Sequence, residues 1–159
     1  MPFSEPRVKY VEVRDAIIAM LTAASTTINE CLSESVIQII KGNPFVTTIP
    51  STMYPSVLVQ FTKKTEEIKS FGNTNAPRTK VTITYNIYAI VRVMSSSEDS
   101  DDEVAKLADN IEAVFRDNTN VNGNVDWSVV IDMQSGSGDI DGTYVSMAIL
   151  TIDCIKNMT

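Results

Sequence analysis

A chain of 159 residues, 43% of them hydrophobic and 21% charged, is long enough for one domain with a sizeable core and too apolar for wholesale disorder. No apolar run reaches the ~18 residues of a membrane span. The sequence has no histidine, which removes the commonest general base and excludes Ser-His-Asp chemistry; beside two isolated cysteines, Cys31 and Cys154, it also leaves no set of zinc ligands. The net charge of −7 is unevenly spread. Residues 1–94 carry ten Lys/Arg against seven Asp/Glu (+3), and residues 95–159 carry three against thirteen (−10). That polarity suits head-to-tail association or a solvated acidic surface, and it argues against a nucleic-acid-binding module with its basic footprint. The opening Met-Pro-Phe-Ser-Glu-Pro-Arg lacks the pattern of a secretory leader, so the expectation is a soluble protein made in a cytoplasm.

Residues 1–8 hold two prolines and read as an extended arm. From Lys9 to Ala24 the pattern is helical, with Val13, Ala16, Ile17, Met20, Leu21 and Ala24 on one face, and Ser25-Thr26-Thr27 ends it. Ser35–Lys41 is short, β-branched and closed by Gly42-Asn43-Pro44, which predicts a strand and a turn; the run is also compatible with a helix over Leu32–Lys41. Phe45–Pro55 has no period and reads as a surface loop. Ser56–Lys63 is a second strand with Val57, Val59 and Phe61 on one face. Lys64–Pro77, with Phe71-Gly72-Asn73 and Asn75-Ala76-Pro77, reads as the reversal.

Arg78–Met94 is the longest regular stretch. Val81, Ile83, Tyr85, Ile87, Ala89, Val91 and Val93 alternate with Thr82, Thr84, Asn86, Tyr88, Ile90 and Arg92, the period of a strand with one dry face. At roughly 3.3 Å per residue it extends about 55 Å, whereas a compact domain of this length has a diameter of roughly 40 Å. The expectation is a β-ribbon that overhangs its core or bends, and whose unpaired backbone groups need a partner. With the preceding strand it forms a hairpin. The far end carries Lys63, Lys64, Lys69, Arg78 and Lys80 beside Glu66 and Glu67, and these seven residues are the candidate contact surface.

Ser95–Asp102 reads as an acidic linker. Ser100 with Glu103 has the spacing of a capping box for a helix over 101–117, whose dry stripe is Val104, Leu107, Ala108, Ile111, Val114 and Phe115. Asn122-Gly123 is a turn signal. Trp127–Gln134 is a strand in which Val129, Ile131 and Met133 alternate with Ser128, Val130 and Asp132. Residues 135–142 read as a flexible Gly/Ser connection, and Thr143–Ile155, apolar on both faces, as a strand inside the sheet.

Sites for chemistry are scarce. Counted as a calcium loop from Asp139, the sixth position is Tyr144 rather than Gly and the twelfth is Leu150 rather than Glu. Gly136-Ser137-Gly138 lacks the third glycine of a dinucleotide fingerprint, and there is no phosphate loop or nucleophile elbow. Glu66 and Glu67 stand beside lysines, where burial will not tune them for acid–base work. Asp132 and Asp153 suit sheet-edge or interface roles. Both cysteines are expected to be buried or half-buried thiols. The reading is of a protein that is not an enzyme, with no cofactor and no metal.

The order helix, short strand, long hairpin, acidic linker, helix and closing strand pair, together with Gly42-Asn43-Pro44, Tyr54-Pro55-Ser56-Val57-Leu58-Val59, Glu66-Glu67 and Asn122-Gly123-Asn124, resembles the tail terminator (tail completion) proteins of long-tailed bacteriophages. The resemblance spans nearly the whole chain. Its departures are the extended loop Phe45–Tyr54 and the connection 135–142. It implies an α+β fold: a mixed, mainly antiparallel sheet with two helices on one face and a protruding hairpin. It also implies a virion protein, assembled in the host cytoplasm, that forms a hexameric ring on the head-proximal end of the tail tube. Its partners would be further copies of itself, the tail tube protein and a head-completion or connector protein, with DNA passing through the ring without specific binding. A related neck or tail-tube protein, or a small-molecule-binding α+β domain, is the alternative.

Overall fold

The computed structural model describes residues 9–71, 77–92, 97–140 and 143–158; the predicted N-terminal arm lies outside them. Helix α1 (Tyr10–Ala23) follows the predicted 3.6-residue stripe, with Val13, Ile17, Met20 and Leu21 buried. A short helix α2 (Ser25–Ile28) continues where a stop was expected. It is held by Asn110, whose side-chain amide donates to the Ile28 and Glu30 carbonyls, both at 2.9 Å, which satisfies orphan acceptors at a helix end. Cys31 sits just beyond, exposed and in the left-handed region (φ 61°), so the expectation that both cysteines are sheltered fails here.

Five strands form one mixed, mainly antiparallel sheet, so the fold is α+β. The strands are β1 (Gln38–Lys41), β2 (Ser56–Phe71), β3 (Pro77–Arg92), β4 (Trp127–Ile140) and β5 (Thr143–Met158), in spatial order β1-β2-β3-β5-β4. β1 is shorter than predicted and pairs parallel with β2; every other pairing is antiparallel. One face of β3 (Val81, Ile83, Tyr85, Ile87, Ala89, Val91) joins Val57 and Val59 of β2 and Ala148, Leu150, Ile152 and Cys154 of β5. These cluster with the buried residues of α1 and of α3 (Ser97–Asp117). The Tyr85 hydroxyl donates to the Tyr10 carbonyl at 2.5 Å, and Tyr10 stacks on Phe61 with centroids 4.1 Å apart, which ties the start of α1 to β2.

Three expectations about the ribbon change. The reversal does not begin at Lys64, because β2 stays paired with β3 as far as Phe71↔Pro77, with irregularities at Phe61/Lys63 and Ile68/Ser70 that absorb local twist. The candidate contact residues therefore lie on strands. β3 itself is paired on both sides over Thr79–Ile90, since β5 lies along its other side from Thr79↔Met158 to Arg92↔Val145. The open edge belongs to β2: β1 covers only Ser56–Val59.

The segment between β1 and β2 is more than a surface loop. Parallel strands need a crossover, and this one returns across the second sheet face. Ile49 and Tyr54 are buried there with Leu58, Tyr88, Ile90 and Val145, and a 3-10 turn at Ser51–Met53 completes the cover. Gly42 opens the crossover at φ 145°, and Phe45 meets the Tyr88 ring edge-on at 6.3 Å.

Helix α3 begins at Ser97, earlier than the expected 101. Ser100 therefore lies inside the helix and not at its N-cap, where a capping box would need it. The buried Glu103 instead accepts the Ser33 backbone N–H at 2.5 Å, while Asp101 accepts the Ser146 hydroxyl at 3.0 Å. Acids in a first turn suit the helix dipole, so the acidic run extends the helix rather than linking to it. β4 likewise runs on through Gly136 and Gly138 to Ile140, where a flexible connection was expected. Pairing with Thr143–Ala148 of β5 overrides the weak strand preference of glycine.

Candidate assembly interface

The seven predicted contact residues come together at the end of the β2–β3 hairpin beyond β1. Lys63, Lys64, Glu66, Glu67 and Lys69 are exposed on β2, with Arg78 exposed and Lys80 half-buried on β3. Strand alternation sorts them. Lys63, Thr65 and Glu67 oppose Thr84, Thr82 and Lys80 on one face, and Lys64, Glu66 and Ile68 oppose Ile83, Val81 and Thr79 on the other. Lys69 Nζ stands 2.9 Å from Glu67 Oε1, and Lys64 Nζ 3.6 Å from Glu66 Oε1. The Lys69 hydrogen bond and charge hold the Glu67 carboxyl below its ordinary range, with Lys80 adding to the effect. A general acid needs the opposite shift. Exposed pairs of this sort add little to stability, so what these side chains set is the charge and shape of an open strand edge.

The opposite margin of the sheet was not foreseen as a surface. β4 is an edge strand, and Trp127, Val129, Ile131 and Met133 are 41%, 43%, 53% and 39% exposed. The regular alternation predicted for it breaks at an irregularity between Val130 and Asp132. Ser128 and Val130 pair with Cys154 and Ile152 on the helix-covered face. Past the irregularity Met133 pairs with Leu150, and Asp132 turns to the other face. A period-two pattern does not reveal which of its faces is dry when both carry Val and Ile, and a bulge is invisible to it. Asp132 accepts from the Gln134 amide at 3.0 Å. Asp153, one strand in, accepts the Thr84 hydroxyl at 2.7 Å.

A groove of about 420 Å³ between α3 and β4 is lined by Val104, Ala108, Met133, Ser135, Gly136 and Ala148, with Asp101 its one ionisable group. That carboxylate is already engaged with Ser146. Among the described residues no three His, Cys, Asp or Glu side chains converge to hold a metal ion, and no helix is long and apolar enough to cross a membrane. Burial, with the Asp153 charge, pushes the Cys154 thiol up to about 12, far from a reactive thiolate. No family model matches the chain, and no curated protein matches its sequence.

Proposed function

We propose that this chain is a structural virion protein of the tail terminator (tail completion) type. In this reading copies of it close into a ring, six-membered on the family's pattern. The ring caps the head-proximal end of the phage tail tube, stops tube polymerisation and presents the joining surface to a head-completion or connector protein. The observation that carries the reading is the sheet's incompleteness: a charged edge of β2 and an apolar edge of β4 both lack a strand neighbour among the described residues. Strand edges left open invite completion by another chain. The order of helices and strands named in the resemblance supports it as well.

The test is to add the purified chain to polymerising tail tube protein and image the product. A terminator shortens the tubes and leaves a ring at one end. Tubes that grow to the same length with bare ends would exclude this function, and co-polymerisation along the tube would favour the tube-protein alternative.

A further inference from the structure

The two margins of the sheet are unlike each other. Of β2's sixteen residues, β1 pairs with four, which leaves the twelve of Gln60–Phe71 with no strand along their outer side among the described residues. At the other margin the fourteen residues of β4 are open along their outer side. Soluble proteins protect such edges with lysine, proline or charged inward positions. β4 has no lysine, arginine or proline, it exposes four large apolar side chains, and Asp126, Asp132 and Asp139 are the only charges on it or directly before it. β2's open stretch carries three lysines to two glutamates, with Arg78 and Lys80 on the strand beside it.

Strand direction adds an independent constraint. β2 is antiparallel to β3, β3 to β5, and β5 to β4. β4 therefore runs antiparallel to β2. A second copy placed beside the first without being turned over brings its β4 alongside Gln60–Phe71 in the antiparallel sense, the more stable kind of ladder.

We infer that the occupant of the Gln60–Phe71 edge is β4 of a second copy of this chain. This deepens the ring reading and rests on it. Because each copy offers two different edges, the contact is head-to-tail, and it closes into a ring when the rotation per copy divides a full turn. Of the contacts between like edges, β4 on β4 is disfavoured because every charge there is a carboxylate, and β2 on β2 sets two stretches of net positive charge together. The Trp127–Met133 stretch is covered in the assembly, which removes the hazard an exposed apolar edge would otherwise pose.

Charge reversal tests the joint. A K63E/K64E/K69E variant has two acidic edges, and a D132K/D139K variant has two basic ones. Each alone is expected to lose the oligomer in size-exclusion chromatography with light scattering, while an equimolar mixture regains it, because every edge then meets its opposite. Oligomer retained by either variant alone, or folded variants that stay monomeric when mixed, overturns the joint. Amide exchange on the unmodified chain serves if a variant does not fold. Residues 60–71 and 127–140 should both be slowed in the oligomer relative to the diluted chain. An oligomer in which both stretches exchange as in the monomer overturns the joint but leaves the ring, and a chain monomeric at every concentration overturns both.

Discussion

The two cysteines show how much environment decides. Cys154 faces the helices from β5, and burial raises its thiol from 9.0 to about 12; Cys31 is exposed. In the unfolded chain the Cys154 thiol ionises near its ordinary value, while in the folded protein it stays neutral. The unfolded state therefore binds fewer protons above pH 9, and stability is full below about pH 9 and falls as pH rises toward 12. The slope from this residue is at most about 1.4 kcal/mol per pH unit. Burial shifts Tyr85 in the same direction. Thermal melts from pH 8 to 11 should show a steeper decline for the native chain than for Cys154→Ala; parallel declines would remove Cys154 as a contributor. Under native conditions a thiol reagent should label Cys31 and spare Cys154. Residue-level reading of the sequence found the buried thiol, but a positive φ at Cys31 carries no signature in the residue type.

Elements were legible where one period ruled and illegible where pairing decided. The stripes of α1 and α3 and the alternation of β3 give themselves away because each sets a regular row of apolar residues against the main core. The continuation of β2 to Phe71 and of β4 to Ile140 does not, because Lys, Glu, Ser and Gly there acquire strand geometry from their partners. Asp141-Gly142 is in sequence a dipeptide that favours hairpins, which was the available hint that β4 and β5 pair as far as Ile140↔Thr143. The crossover before β2 was hidden for another reason: its apolar residues are sparse, yet Ile49 and Tyr54 close the second face. Gly42 is its hinge. A Cβ at that position would lie 2.7 Å from Thr47 Oγ1, in a backbone region that side chains rarely adopt. Gly42→Ala should therefore cost more than about 1 kcal/mol in denaturant unfolding, and an unchanged midpoint would mean that the crossover relaxes freely.

For the whole molecule, the expected overhang of one strand turned out to be an open edge on its neighbour, and the assembly argument moved with it from β3 to β2 and β4. The charge asymmetry read from the sequence also acquired a place. α3 carries the exposed acids Asp102, Asp109 and Asp117, while the cations gather at the far end of the β2–β3 hairpin. If α3 lines the channel of the ring, its carboxylates let DNA pass without adhering, since phosphate binding needs cations. A D102K/D109K/D117K variant should then slow DNA ejection from assembled particles, and ejection at the native rate would place α3 away from the channel. The central claim, that a sheet with two open margins is completed by neighbouring copies, is tested most directly by the mass of the purified chain in solution. Light scattering should give a discrete multiple of 17.5 kDa, about 105 kDa for six copies. A mass of 17.5 kDa at every concentration tried would contradict it.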